Sequence, residues 1–124
     1  INDSKATNVA STMVAVQAME RPFVLLLGGR HKGEPYTALA EPARALCRGV
    51  IAYGEARDII VKDLEGRLPV VKKGSEFAEV LAAAAELVRP GDAVLLSPAC
   101  SSYDMFKHYE DRGAQFRAAV ERMR

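Results

Sequence analysis

Residues Val94 to Tyr109 read VLLSPACSSYDMFKHY, an apolar run that stops abruptly at a small, polar, proline-containing turn. The stretch reads as strand, loop, helix. Val94, Leu95 and Leu96 make the run, Pro98 cannot donate to a ladder and ends it, and Ser101 or Ser102 can cap the helix that follows. The strand thus delivers the chain to a helix N-terminus, where unpaired N–H groups, the positive dipole end and a serine hydroxyl could hold a carboxylate or phosphate. Asp104 would have to point away from such an anion, and capping alone would account for the serines equally well.

The same arrangement recurs upstream. Phe23 to Leu27, FVLLL, is apolar without alternation, which predicts a central parallel strand covered on both faces. It empties into Gly28-Gly29-Arg30-His31-Lys32-Gly33, whose glycines permit close backbone approach and whose Arg30, His31 and Lys32 gather positive charge. Glu34 and Pro35 follow Gly33, so the spacing is not G-x-x-x-x-G-K-S/T, nor is it G-x-G-x-x-G. A nucleotide triphosphate is therefore not cradled here in either familiar way. His31 reads as a solvated loop histidine rather than a catalytic one. Ahead of this strand lies the polar segment Asn2 to Asn8, NDSKATN, in which Ser4 or Thr7 can cap a helix beginning near Thr7, with Val9, Met13 and Val16 on its apolar face. Lys5 then stands beside a helix N-terminus, where a cation is misplaced unless an anion joins it or the side chain extends into solvent.

Between the two strands the pattern alternates. Tyr36 to Cys47 places Leu39, Ala43 and Leu46 on one helical face, with Pro42 as a kink or first turn, and Gly49 releases the chain into a strand from Val50 to Tyr53. Ala56, Ile59, Ile60 and Leu64 mark the next helix, which Gly66 ends, and Leu68 to Val71 reads as another strand. Ser75 caps a long helix with Phe77, Val80, Leu81, Ala84, Leu87 and Val88 inward; Pro90-Gly91 then turns the chain toward Asp92 and the Val94 strand. From Ala114 a last helix would bury Phe116, Val120 and Met123. These elements predict an α/β, Rossmann-like three-layer domain, a mostly parallel sheet with helices on both faces. Ligands of such sheets gather at the carboxyl ends of the strands, and three loaded segments end there: Asp3 to Asn8, Gly28 to Lys32 and Ser97 to Ser102. Lys5, Lys32, Thr7 and Ser102, with helix N–H groups, suit a small anion bearing two carboxylates.

Composition sets the outer bounds. The 124 residues, 49% hydrophobic, suit one domain with an ordinary core. With 17 basic and 16 acidic residues the net charge is +1, which gives no global field for nucleic acid or an anionic membrane. No apolar run approaches the roughly 20 residues of a membrane span, and no signal-peptide pattern opens the chain, so a soluble domain is expected. Cys47, at an apolar helix end, and Cys100, in a small-residue loop, have no C-x-x-C spacing and read as free thiols of a reducing cytoplasm. No metal site is predicted. A start at Ile1 without Met reads as a domain taken from a longer chain.

Three blocks, NDSKATN, LLLGGRHKG and LLSPACSSYDMFKHYEDRG, stand in the order and at the separations found in the C-terminal domain of the Mur ligases, and the chain resembles the D-glutamate-adding branch of that family over essentially its whole length. The resemblance implies a cytoplasmic, monomeric, ATP-dependent ligase of peptidoglycan synthesis, in which an N-terminal domain binds UDP and a central P-loop domain binds ATP and Mg2+. Residues 1–124 would be the third, amino-acid-binding domain, inactive alone, and the missing P-loop is explained. Its partners would be D-glutamate and, through the other domains, UDP-N-acetylmuramoyl-L-alanine and ATP. The implied reaction phosphorylates the muramoyl-L-alanine carboxylate; the D-glutamate amine then attacks the acyl phosphate, and a tetrahedral intermediate expels phosphate. By motif, Thr7 and Lys32 would hold the α-carboxylate, Ser102 and the Tyr103 main chain the side-chain carboxylate, and Tyr109 would close the pocket. Asp3 and Lys5 would face the nucleotide across the domain boundary, and no catalytic residue is assigned. Arg30-His31, Tyr103 and Tyr109, where Phe is familiar, depart from the family's usual residues, and Tyr103 could reshape the pocket.

Three other readings compete. The chain could be the same domain of a sister Mur ligase or a folylpolyglutamate-type ligase, which amino-acid selectivity would separate. It could be a free-standing anion-binding module, which the absent Met disfavours. Hydrolysis by Cys100 or a serine would need His31 or His108 in a triad setting, and no G-x-S-x-G accompanies them.

Overall fold

In the computed structural model, which describes residues 8–29, 33, 35–74 and 77–96, strand β1 (Phe23–Gly28) is the spine of a four-stranded parallel sheet. The other strands are β2 (Cys47–Tyr53), β3 (Val70–Lys72) and β4 (Ala93–Leu96), in the spatial order β3-β2-β1-β4. Every residue of β1 is buried, as a run without alternation requires when both faces are covered. Alternation appears instead in which layer each side chain meets. Phe23, Leu25 and Leu27 join a cluster with helices α1 (Val9–Gln17), α2 (Ala40–Ala43) and α3 (Arg57–Leu64), whereas Val24 and Leu26 pack with Ile51, Tyr53 and helix α4 (Phe77–Leu87). Helices therefore cover both faces, and the expected three-layer α/β architecture is observed.

Several local expectations are corrected. The cap of α1 is Asn8, whose Oδ1 accepts from the Ser11 N–H at 2.8 Å, rather than Ser4 or Thr7. The helix expected from Tyr36 to Cys47 is a 3-10 turn, Thr37–Leu39, followed by the four residues of α2. Leu39 and Ala43 do face the core, but Arg44 N–H already bonds back three residues to Glu41, and the Leu46 carbonyl is taken by the Phe23 N–H at 3.0 Å. Pairing with β1 thus converts the chain to strand at Cys47, which is not a helix end. Gly49 lies inside β2, where a Cβ would stand 3.1 Å from Leu87 Cδ1. Ala56, just before α3, and Ile60 and Leu64 on it are fully buried at spacings of four, while Ile59, on the flank of that stripe, is 38% exposed. Val80, Leu81 and Ala84 of α4 are buried as expected. Ser75, the Phe77 side chain, Cys100 and the helix expected from Ala114 lie outside the described residues.

The sheet's amino-terminal edge carries an ion-pair clamp. Partnering passes from Phe23↔Cys47 to Val24↔Gly49, so Arg48 is an extra residue on β2. Its Nε donates to Asp92 Oδ2 and its Nη2 to Oδ1 at 3.2 Å, tying β2 to the turn before β4, two strands away. Asp92 Oδ2 also accepts the Arg89 N–H at 2.9 Å. The Arg48 guanidinium, with the Arg89 N–H, holds the Asp92 carboxyl below its ordinary 3.8. Because the folded-state pKa is depressed, the stabilisation is present at neutral pH and is lost as the pH falls through that lowered value. Denaturation measured between about pH 7 and pH 3 is expected to show an acid limb that is shallower in Asp92→Asn. Equal limbs would rule out the clamp as its source.

Cys47 is buried at the start of β2 and donates its S–H to the Gly49 carbonyl at 3.3 Å. Burial pushes its thiol from 9.0 up to about 11. The neutral thiol is thus favoured by folding, with full effect below the unfolded-state value and loss as the pH rises toward the folded-state one. At about pH 8, mass spectrometry should find Cys47 unmodified by a thiol reagent until denaturant is added. Prompt native-state labelling would contradict this.

Candidate functional site

Parallel strands bring their carboxyl ends to one edge, and the strand order places a topological switch there. Beyond β1 the order reverses from β2 and β3 on one side to β4 on the other, and Leu26 of β1 is partnered with Leu96, the last residue of β4. The segments that leave β1 and β4 therefore depart from adjacent strands at the same edge, the place where open α/β sheets bind ligands. Helix α1 leads into β1 through only the five residues 18–22, so its Gln17 end lies toward the opposite edge and its capped Asn8 end toward this one.

The described part of this edge is fastened by main-chain bonds. Gly28 is partnered with Tyr53, and the fit leaves no room for a side chain: a Cβ there would stand 2.4 Å from the Tyr53 carbonyl oxygen and 2.6 Å from its Cγ. Gly29 follows with φ 126°, a conformation side chains disfavour, and its carbonyl accepts the Ala56 N–H at 2.8 Å. Gly54, the residue after β2, donates its N–H to the Gly74 carbonyl at 3.1 Å, and its own carbonyl accepts Arg57 Nη1 at 2.7 Å. Where the chain returns from the β1 loop, the Tyr36 N–H donates to Asp63 Oδ2 at 2.9 Å, and the Tyr36 side chain is buried. Lys72, at the end of β3, pairs with Asp58 at 3.0 Å on the surface.

The seven predicted site residues, Asp3, Lys5, Thr7, Lys32, Ser102, Tyr103 and Tyr109, lie outside the described residues. Their attachment points are described. Thr7 precedes the cap Asn8, Lys32 falls between Gly29 and Gly33, and Ser102, Tyr103 and Tyr109 follow β4. All three attachment points belong to the switch-point edge. Since Asn8 caps α1, that helix requires no hydroxyl from Thr7. Asp63 carried no sequence signal, because its bond partner is 27 residues away, and Asn8 was masked by two other capping residues in the same block.

Fold and edge together define an α/β domain with a parallel sheet whose topological switch point lies between β1 and β4. Comparison with known proteins makes the class specific: residues 1–100 match the family model for the Mur ligase glutamate ligase domain, and the chain belongs to that family. It is 45% identical over 121 residues to the UDP-N-acetylmuramoylalanine–D-glutamate ligase of Salinibacter ruber, an alignment covering 98% of this chain and 26% of that protein. The ligase of the same name from Chlorobaculum tepidum is 45% identical over 123 residues, covering 99% and 26%. That of Pseudomonas aeruginosa is 43% identical over 126, covering 98% and 28%. The chain thus spans about a quarter of the length of these relatives. No helix among the described residues is long and apolar enough to cross a membrane.

Proposed function

We propose that this chain is the amino-acid-binding domain of a ligase that adds D-glutamate to UDP-N-acetylmuramoyl-L-alanine in peptidoglycan synthesis. The observation that supports the reading most is the near-complete alignment at 45% identity to relatives that bear this activity in their names. Thr7 and Lys32 hold the α-carboxylate of D-glutamate; Ser102 and the Tyr103 main chain hold its side-chain carboxylate, and Tyr109 closes the pocket. The convergence of their attachment points on one sheet edge favours this assignment.

Two carboxylates held at fixed points leave the amine as the free end of the substrate. The domain's contribution is then orientation: it presents the amine nitrogen to an acyl phosphate, the nitrogen bonds to the acyl carbon, and the tetrahedral intermediate collapses with loss of phosphate. ATP and Mg2+ belong to a central domain, since this chain carries no P-loop spacing for the triphosphate, and Asp3 and Lys5 face that domain across the boundary. The working enzyme is a cytoplasmic monomer whose domains close over the substrates.

Turnover of the full-length ligase with UDP-N-acetylmuramoyl-L-alanine, ATP and a panel of amino acids tests the reading. D-Glutamate should be the efficient acceptor; preference for L-lysine, a diaminopimelate or L-glutamate would assign the domain to a sister enzyme.

A further inference from the structure

We draw no further inference here: the strongest candidate, the uncharged outer face of helix α1 on which Ala10 and Val14 are exposed, carries nothing because nothing in the structure shows what covers it.

Discussion

In the full-length ligase, Lys32→Ala is expected to raise the KM for D-glutamate by about 30-fold, equivalent to about 2 kcal/mol for a lost charge-assisted bond. The loss should be selective. A carboxylate held by an ammonium contributes to binding in both the ground state and the transition state, so kcat at saturating D-glutamate should fall much less than kcat/KM. The KM values for ATP and the UDP substrate should stay near those of the parent, because the proposed function assigns those ligands to other domains. Steady-state kinetics with each substrate varied in turn reads the result, and an unchanged D-glutamate KM would remove Lys32 from the site. Lys32→Arg separates charge from shape: the guanidinium keeps the charge but not the reach of a flexible ammonium, so an intermediate KM is expected.

The second large effect concerns stability. Gly28→Ala places a methyl group 2.4 Å from the Tyr53 carbonyl oxygen and 2.6 to 2.7 Å from its ring atoms Cγ and Cδ1. Neither can step aside easily, since Tyr53 is fully buried in the layer formed with α4 and the carbonyl belongs to the neighbouring strand. The overpacking should cost about 3 kcal/mol, which for a domain of this size lowers Tm by about 10 °C. A thermal melt of the variant measures it. A Tm within about 2 °C of the parent would mean that β1 and β2 separate at this end without penalty.

That same glycine shows where sequence reasoning stops. FVLLL announced a buried central strand because only a sheet covered on both faces tolerates such a run, and the alternation of strand with helical patterns announced the parallel α/β architecture. Gly28, however, read as loop glycine free for a ligand's approach, whereas its space is taken by Tyr53, a partner set by register across 25 positions. Cys47 and Gly49 read as helix end and release point for a related reason. Their strand conformation is imposed by pairing with β1, and the periodicity of Leu39, Ala43 and Leu46 carries no trace of it. The Arg48–Asp92 clamp and the Asp63–Tyr36 bond are likewise long-range, joining residues 44 and 27 positions apart. Sequence pointed to the carboxyl edge through the chemistry at strand ends, and left the bonds that hold both edges of the sheet in shape to the tertiary structure.

The most direct measurement is an NMR titration of the isotopically labelled chain with D-glutamate, with L-glutamate and the Lys32→Ala variant as controls. A D-glutamate site at the carboxyl edge should give shifts at Thr7, Lys32 and Ser102 and at the fastened glycines Gly29 and Gly54, stronger for D- than for L-glutamate and lost in Lys32→Ala. Shifts confined to the opposite edge around Arg48 and Asp92, or a D-glutamate response that survives in Lys32→Ala, would contradict it.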